Sequence, residues 1–329
     1  MIKENEDKLL NSDLFKAFLK KDLNRCDFIS QWLSAHNVPH SIVNLAQKKH
    51  IIIKYPAQFY DKNFKMKTLT AHYDRAPDTQ GANDNSASCF ILMNFAKKLC
   101  SYTRPHNIKI IFTDGEEAGA AGLKEQGAYT LGTGLKKLKM DGDDIFVFDM
   151  CGRGDTLILS RSGIFGRDKA KTKRLDELHK RAGLLAQRAC PNQWLSMLTA
   201  YSDNAGFIAA GLFAQVITLL PRKEAETLLH CLPREKAGTL VYRLTQKKIS
   251  APNQQNRTAP LNNQNKTAMG ELTDMVIKNQ KPPQGSPFEK IIPFTWQLMH
   301  TADDKIETLN SEAFTLTEKY LTALAENYR

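Results

Sequence analysis

No run in the 329-residue sequence approaches the ~20 apolar residues that a membrane helix needs. Its opening stretch, MIKENEDKLLNSDLFKAFLKK, never stays apolar long enough to form a signal-peptide core. There is no CxxC pair, and the six cysteines (Cys26, Cys89, Cys100, Cys151, Cys190 and Cys231) follow no regular spacing. That scatter speaks against a disulfide framework. Reduced, mostly buried thiols and a cytoplasmic location are the expectation. Aromatic residues do not interleave with the basic ones over 167–188, as stacking on a nucleic-acid single strand would require.

What is present is ordinary for a globular chain: 42% apolar and 25% charged residues, enough length to bury a large core. The net charge of +11 is concentrated in two places. Residues 167–188 carry eight Lys/Arg against three Asp/Glu, and residues 221–291 carry twelve against six, so the excesses of 5 and 6 make up the whole. A basic patch can bind nucleic acid, but it is also what a solvated helix face looks like. The second reading is preferred here.

Residues 8–35 place Leu10, Phe15, Phe18, Leu19, Phe28, Ile29 and Trp32 at near-helical spacing, so 1–37 reads as an N-terminal helical extension. HSIVNLA, HIIIKYP and MKTLTAHYD then read as strands, followed by a helix over about 86–100. Apolar runs at 108–114, 144–150 and 213–220 read as further strands. Helices are expected near 119–131, 166–189 and 311–327. This alternation predicts a three-layer α/β/α sandwich around a central mixed, mostly parallel sheet, formed by one domain spanning 1–329. One stretch departs from it. Residues 251–268 hold eight Asn/Gln and two Pro with almost nothing large and apolar, so 221–291 reads as an insertion, unstructured over about 251–268.

Two clusters carry chemistry. AHYDRAPDTQGAND puts His72, Asp74, Asp78 and Asp84 in one loop after a strand, and FTDGEEAG puts Asp114, Glu116 and Glu117 at a strand-to-helix junction. So many carboxylates on loops at one sheet edge repel one another unless a cation sits among them. Nitrogen and oxygen donors without thiolates point to Zn2+ or a similar divalent ion, and carboxylate-rich sites can hold two. Each feature has a bland reading alone: an HxD turn, a Glu pair at a helix start, a surface His300. Asp149, closing the apolar run DIFVFDM, is more telling, because burying a lone carboxylate is costly.

The motifs HYD, GANDNSAS, FTDGEEAG, FVFDMCG, YSDNAGF and MHTADD resemble those of metallopeptidase family twenty-eight, over roughly 40–220 and 292–329. That family includes zinc aminopeptidases, carboxypeptidase relatives and glutaminyl cyclases. The resemblance implies that Asp84 bridges two zinc ions, with His72 and Asp149 completing one site and Glu117 and His300 the other. Glu116 would be the general base, and Asp74 would orient His72 from behind. Asp203 matches the family's Ser-Asp-His stretch, although Asn204 replaces the histidine, and is taken as an outer or substrate-facing residue. The implied activity is removal of N-terminal residues from peptides with a free N-terminus. Cys89 and the Asp303-Asp304 pair also occur in the cyclases, so a one-zinc glutaminyl cyclase is the alternative.

Overall fold

The computed structural model describes residues 10–164, 168–232 and 263–326. Eight strands run through it: β1 (His40–Leu45), β2 (Lys48–Lys54), β3 (Lys67–His72), β4 (Ile108–Thr113), β5 (Asp144–Phe148), β6 (Thr156–Ser160), β7 (Trp194–Met197) and β8 (Ala214–Leu220). Between and around them lie α1 (Asp13–Phe18), α2 (Arg25–Ala35), α3 (Ala87–Leu99), α4 (Gly127–Lys137) and α5 (Lys169–Ala189). Then come α6 (Asp203–Ala210), α7 (Arg222–Cys231), α8 (Asn263–Ile277), α9 (Phe294–Leu298) and α10 (Ser311–Ala325). None of the described helices is long and apolar enough to cross a membrane.

The strands form one sheet in the order β1-β2-β4-β3-β5-β8-β6-β7. The centre is parallel: β3 pairs with β4 and β5, and β5 with β8. The β1–β2, β2–β4 and β6–β8 pairings are antiparallel. Every residue of β3, β4, β5, β6 and β8 is buried, as expected of strands covered on both faces. Alternation then sorts the side chains. Leu69, Ile110, Phe112, Phe146 and Phe148 join the core under α3, α5 and α10, while Ile111, Ile145 and Val147 meet Leu131 of α4 and Phe207 of α6 on the other face. The expected three-layer sandwich is what forms.

Two expectations need correction. The helix read near 119–131 starts only at Gly127: residues Glu117–Ala121 and Leu123–Glu125 are short 3-10 turns, broken at Gly122, whose φ is +139°. The glycines of EEAGAAGLKEQG set that delay, since the spacing of apolar residues does not register it. The run 251–268 lies outside the described residues up to 262, but its last six residues open helix α8. Leu272 and Val276 of α8 are buried in the main core, so this helix is held by tertiary packing that local composition does not reveal.

The topology creates a crevice. From β3 the chain crosses to β4 on one side, whereas from β5 it passes to β6 on the other, so the connections diverge between adjacent strands β3 and β5. At such a switch point the carboxyl ends of the strands open a cleft between loops.

Candidate metal centre

His72 is the last residue of β3, in register with Thr113 of β4, and its side chain is only 1% exposed. Asp149 follows β5 directly, and its N–H donates to the Ile217 carbonyl of β8 at 3.0 Å, which keeps it at the sheet edge. The sheet therefore delivers these two residues on neighbouring strands.

Asp84 lies in an irregular turn, Ala82–Ser86, just ahead of α3, and the Asp84–Asn85 peptide is cis. Three sets of hydrogen bonds suspend it. Asp304 accepts from the backbone N–H of Asn83 (2.8 Å) and of Asp84 (3.0 Å). The Asn85 side chain donates to the Phe148 carbonyl at 2.9 Å and accepts from Met150 N–H at 3.2 Å, tying the turn to the end of β5. The buried Arg25 of α2 donates to the carbonyls of Tyr73 (3.0 Å) and Gln80 (3.1 Å) and to the Ser86 hydroxyl (2.8 Å). In return Arg75 donates to the carbonyls of Leu19, Lys20 and Lys21 at the end of α1. The N-terminal helices thus brace the loop that carries Asp84.

Glu116 and Glu117 follow β4 through Gly115, whose φ of +78° few other residues adopt. Their backbone N–H groups both donate to the Asp74 carboxylate, at 3.2 and 3.0 Å. Asp74 also faces His72 Nδ1 at 3.5 Å, an ion-pair distance rather than a hydrogen bond, so its main work is to hold the Glu pair. His300 arrives from the loop after α9, with φ +57° and a side chain 42% exposed. Arg153 links its supports: it donates to the Thr295 hydroxyl of α9 (2.9 Å) and to Glu224 of α7 (3.1 Å).

These elements meet at Asp84. Its Oδ1 is 3.3 Å from His72 Nε2, which is also 3.6 Å from Asp149 Oδ1. Its Oδ2 is 3.2 Å from His300 Nε2, which is also 3.1 Å from Glu117 Oε2. His72, Asp84 and Asp149 form one group of potential ligand atoms within 4.8 Å of one another, and Asp84, Glu117 and His300 form another. A third, His72, Glu116 and Glu117, joins the two. Asp203 stands behind them, fully buried, with a carboxylate oxygen accepting from the Thr113 hydroxyl. Its other oxygen, Oδ1, is buried without a hydrogen-bond partner.

The electrostatics follow from this crowding. Burial alone would lower the pKa of His72, but the carboxylates of Asp149, Asp74 and Asp84 carry it well above its ordinary value. Asp84 and Glu117 push His300 up to about 10. Burial works against ionised Asp84, yet the His300 and His72 rings facing its two oxygens hold it below the usual carboxylate range. Glu116 moves the other way: burial raises it well above the ordinary value, against the attraction of His72. Burial likewise lifts Asp203 to about 7 and Asp304 to about 6.

His72 Nε2, Glu117 Oε1 and Asp149 Oδ1 are buried without a hydrogen-bond partner. Orphaned polar atoms that converge on one point call for a shared partner. The donors are imidazole and carboxylate, and the nearby thiol of Cys89 is engaged elsewhere, donating to the His72 carbonyl at 3.1 Å. This donor set fits Zn2+ or a similar divalent cation.

The model of peptidase family M28 matches residues 51–325. The chain belongs to that family. M28 members depend on zinc, and the family supports a peptidase-like or cyclase function for this protein. No curated protein matches the sequence. Among solved structures, the chain is similar to the LapA aminopeptidase of Legionella pneumophila at 13% identity and TM-score 0.59, covering 98% of this chain and 70% of that one. It is also similar to the glutaminyl cyclase of Bacteroides thetaiotaomicron at 13% identity and TM-score 0.60, covering 98% of each. The glutaminyl cyclase of Porphyromonas gingivalis matches at 13% identity and TM-score 0.55, covering 99% of this chain and 96% of that one. At such identities these likenesses speak for the fold.

Sequence reasoning overlooked Gln126, which donates to Glu116, as well as Arg25 and the Asn83 and Asn85 side chains that tie the Asp84 turn down. The run GANDN offers a faint signal for the two asparagines. Nothing local marks the other two.

Proposed function

We propose that this M28 protein is a zinc-dependent aminopeptidase, hydrolysing the first peptide bond of substrates with a free N-terminus. The observation that carries the reading is the division of Asp84: each carboxylate oxygen faces its own histidine, and each histidine its own second carboxylate. His72, Asp84 and Asp149 would hold one zinc ion, and Asp84, Glu117 and His300 a second. Zinc supplies Lewis-acid polarisation of the scissile carbonyl and a water acidic enough to act as nucleophile near neutral pH.

The remaining work falls to the protein. Glu116 stands beside both groups, and burial gives its carboxylate a raised proton affinity, as suits a general base. It takes a proton from the nucleophilic water and passes it to the leaving amine. Asp74 fixes the direction of Glu116 and Glu117 through their backbone, so adjacent residues keep separate tasks. Asp304 and Asn85 keep Asp84 between the histidines. Cys89 and Asp304, which lean toward a cyclase in sequence, here hold the end of β3 and the Asp84 turn, a role either chemistry can use.

One observation favours glutaminyl cyclisation instead: the solved cyclases match over nearly the full length of both chains, whereas this chain spans only part of LapA. In that case Asp84, Glu117 and His300 would hold a single zinc, and Glu116 would accept a proton from the substrate's attacking amine. The test is to incubate zinc-loaded protein with leucyl, alanyl and lysyl arylamides and, separately, with a glutaminyl arylamide. Chelator-sensitive release from the first three supports the aminopeptidase. Pyroglutamyl product without hydrolysis of the others overturns it in favour of the cyclase.

A further inference from the structure

Gln126 sits at the start of α4 and is 4% exposed. A side chain at that position commonly caps its own helix, but this one makes no capping bond. Its Nε2 instead donates to Glu116 Oε1 at 3.1 Å, and its Oε1 accepts from the backbone N–H of Gly206, in the first turns of α6, at 2.9 Å. The second contact decides the first. A backbone N–H can only donate, so the amide oxygen must face Gly206 and the NH2 must face Glu116. The amide is therefore locked as a donor toward the carboxylate.

The surroundings are shaped for this approach. A Cβ on Gly206 would lie 2.7 Å from Gln126 Oε1 and 2.6 Å from the Tyr129 nitrogen, so only glycine lets α6 come this near. The next residue, Gly127, donates its N–H to the Gly115 carbonyl at 2.9 Å, and a Cβ there would fall 1.7 Å from the Asp114 carbonyl oxygen. The start of α4 is thus bolted by its backbone to the very turn that presents Glu116, while the side chain reaches the carboxylate.

We propose that Gln126 is the positioning residue for the general base. By occupying Oε1 it fixes the rotation of the Glu116 carboxylate and leaves Oε2 as the oxygen that exchanges protons. The proposal rests on Glu116 being the base, as argued above, and adds a residue that touches neither the ligand groups nor the substrate. A donor at this point also offsets part of the repulsion from Asp84, Asp149 and Asp203 without adding a charge that competes for metal.

The experiment pairs kinetics with crystallography on the zinc-loaded chain. Gln126→Met and Gln126→Leu keep comparable bulk and lose the donor. Expected is a fall in kcat of roughly 10- to 100-fold, the range for losing a hydrogen bond to a charged group. KM should stay within about twofold and bound zinc should not change, a split that general loosening of the fold would not produce. Crystal structures of the wild type and Gln126→Met should show the Glu116 carboxylate in one rotamer in the former and turned or split in the latter. A variant that retains zinc with kcat within twofold of wild type overturns the proposal, as does an unmoved Glu116. If wild type turns over no arylamide, the aminopeptidase reading fails on its own and the crystal comparison still decides the role of Gln126. If neither variant folds, the wild-type crystal decides it: Gln126 Nε2 more than 3.5 Å from Glu116 overturns the proposal.

Discussion

His50, His106 and His179 on one side, and His72 and His300 on the other, show how one residue type takes opposite character within one molecule. The first three lie in packed regions, and burial lowers each to a pKa of about 4. Their hydrogen bonds suit the neutral ring: His106 Nδ1 accepts from Ile108 N–H, and His179 bridges Gln215 and Ser196. His72 is as deeply buried as any of them, yet three carboxylates carry it upward, and two do the same for the more exposed His300. Burial therefore does not set a histidine's character here; the company of carboxylates does. The core histidines are ordinary packing polar groups, while the site histidines sit in a field that wants positive charge, from protons or from a metal.

The largest expected effect breaks that field at its centre. Asp84→Ala removes the carboxylate that both site histidines face, and elemental analysis should show loss of most bound zinc together with turnover. Retention of two equivalents would disprove the shared role. Next comes Glu116→Gln, which leaves both histidine groups intact: zinc content should hold while kcat falls ~10²–10⁴-fold. Glu117→Gln should instead weaken zinc affinity, and the reverse pattern would exchange the two roles. Smaller is Asp74→Asn, which leaves every ligand group in place and weakens the support behind the Glu pair and His72. Zinc affinity by competition titration should fall roughly 10–100-fold.

The comparison also has a pH signature. The carboxylates raise the proton affinity of both site histidines, so zinc binding should release protons from them, and affinity should drop as pH falls. Calorimetry at pH 7 in buffers of different ionisation enthalpy should report proton release, and its absence would contradict the raised values. In the core histidines the shift has the opposite direction, and it acts on the stability of the fold rather than on zinc affinity. A ring with a folded pKa near 4 and an unfolded one near 6.5 supports the fold fully above pH 6.5, and that support is lost as pH falls from 6.5 to 4. For His179 the span is worth on the order of 3 kcal/mol. His179→Gln should flatten the acid limb of a stability-versus-pH curve, and an unchanged slope would show that His179 takes up its proton without unfolding.

Much of the site was legible because its residues close or follow apolar runs. A strand buried on both faces has to end somewhere, and the polar residue at its end is displayed at the sheet edge whatever the surrounding fold. That logic picks out His72 and Asp149 directly, and Glu116 and Glu117 just after β4. It fails for supports whose partners are far apart in the chain. Asp304 grips backbone 220 residues away, and Arg25 grips a hydroxyl 61 residues away. No local pattern encodes such pairings, since any of several polar residues could make them if the backbone came near. The late start of α4 was missed for a related reason: apolar spacing continues through residues 119–126, and glycine dihedrals with the docking of Gly127 on Asp114 decide where the helix begins.

The sequence by itself determined the layered α/β architecture and the chemistry of the donors, because hydrophobic period and residue type are local properties. Only the tertiary structure decided that Asp84 would stand between two histidines and that His72 would differ from His179. Only there does Gln126 turn from its own helix toward Glu116. Those outcomes depend on distances between chain segments, and Coulomb and hydrogen-bond energies are set by distance and burial rather than by position along the chain.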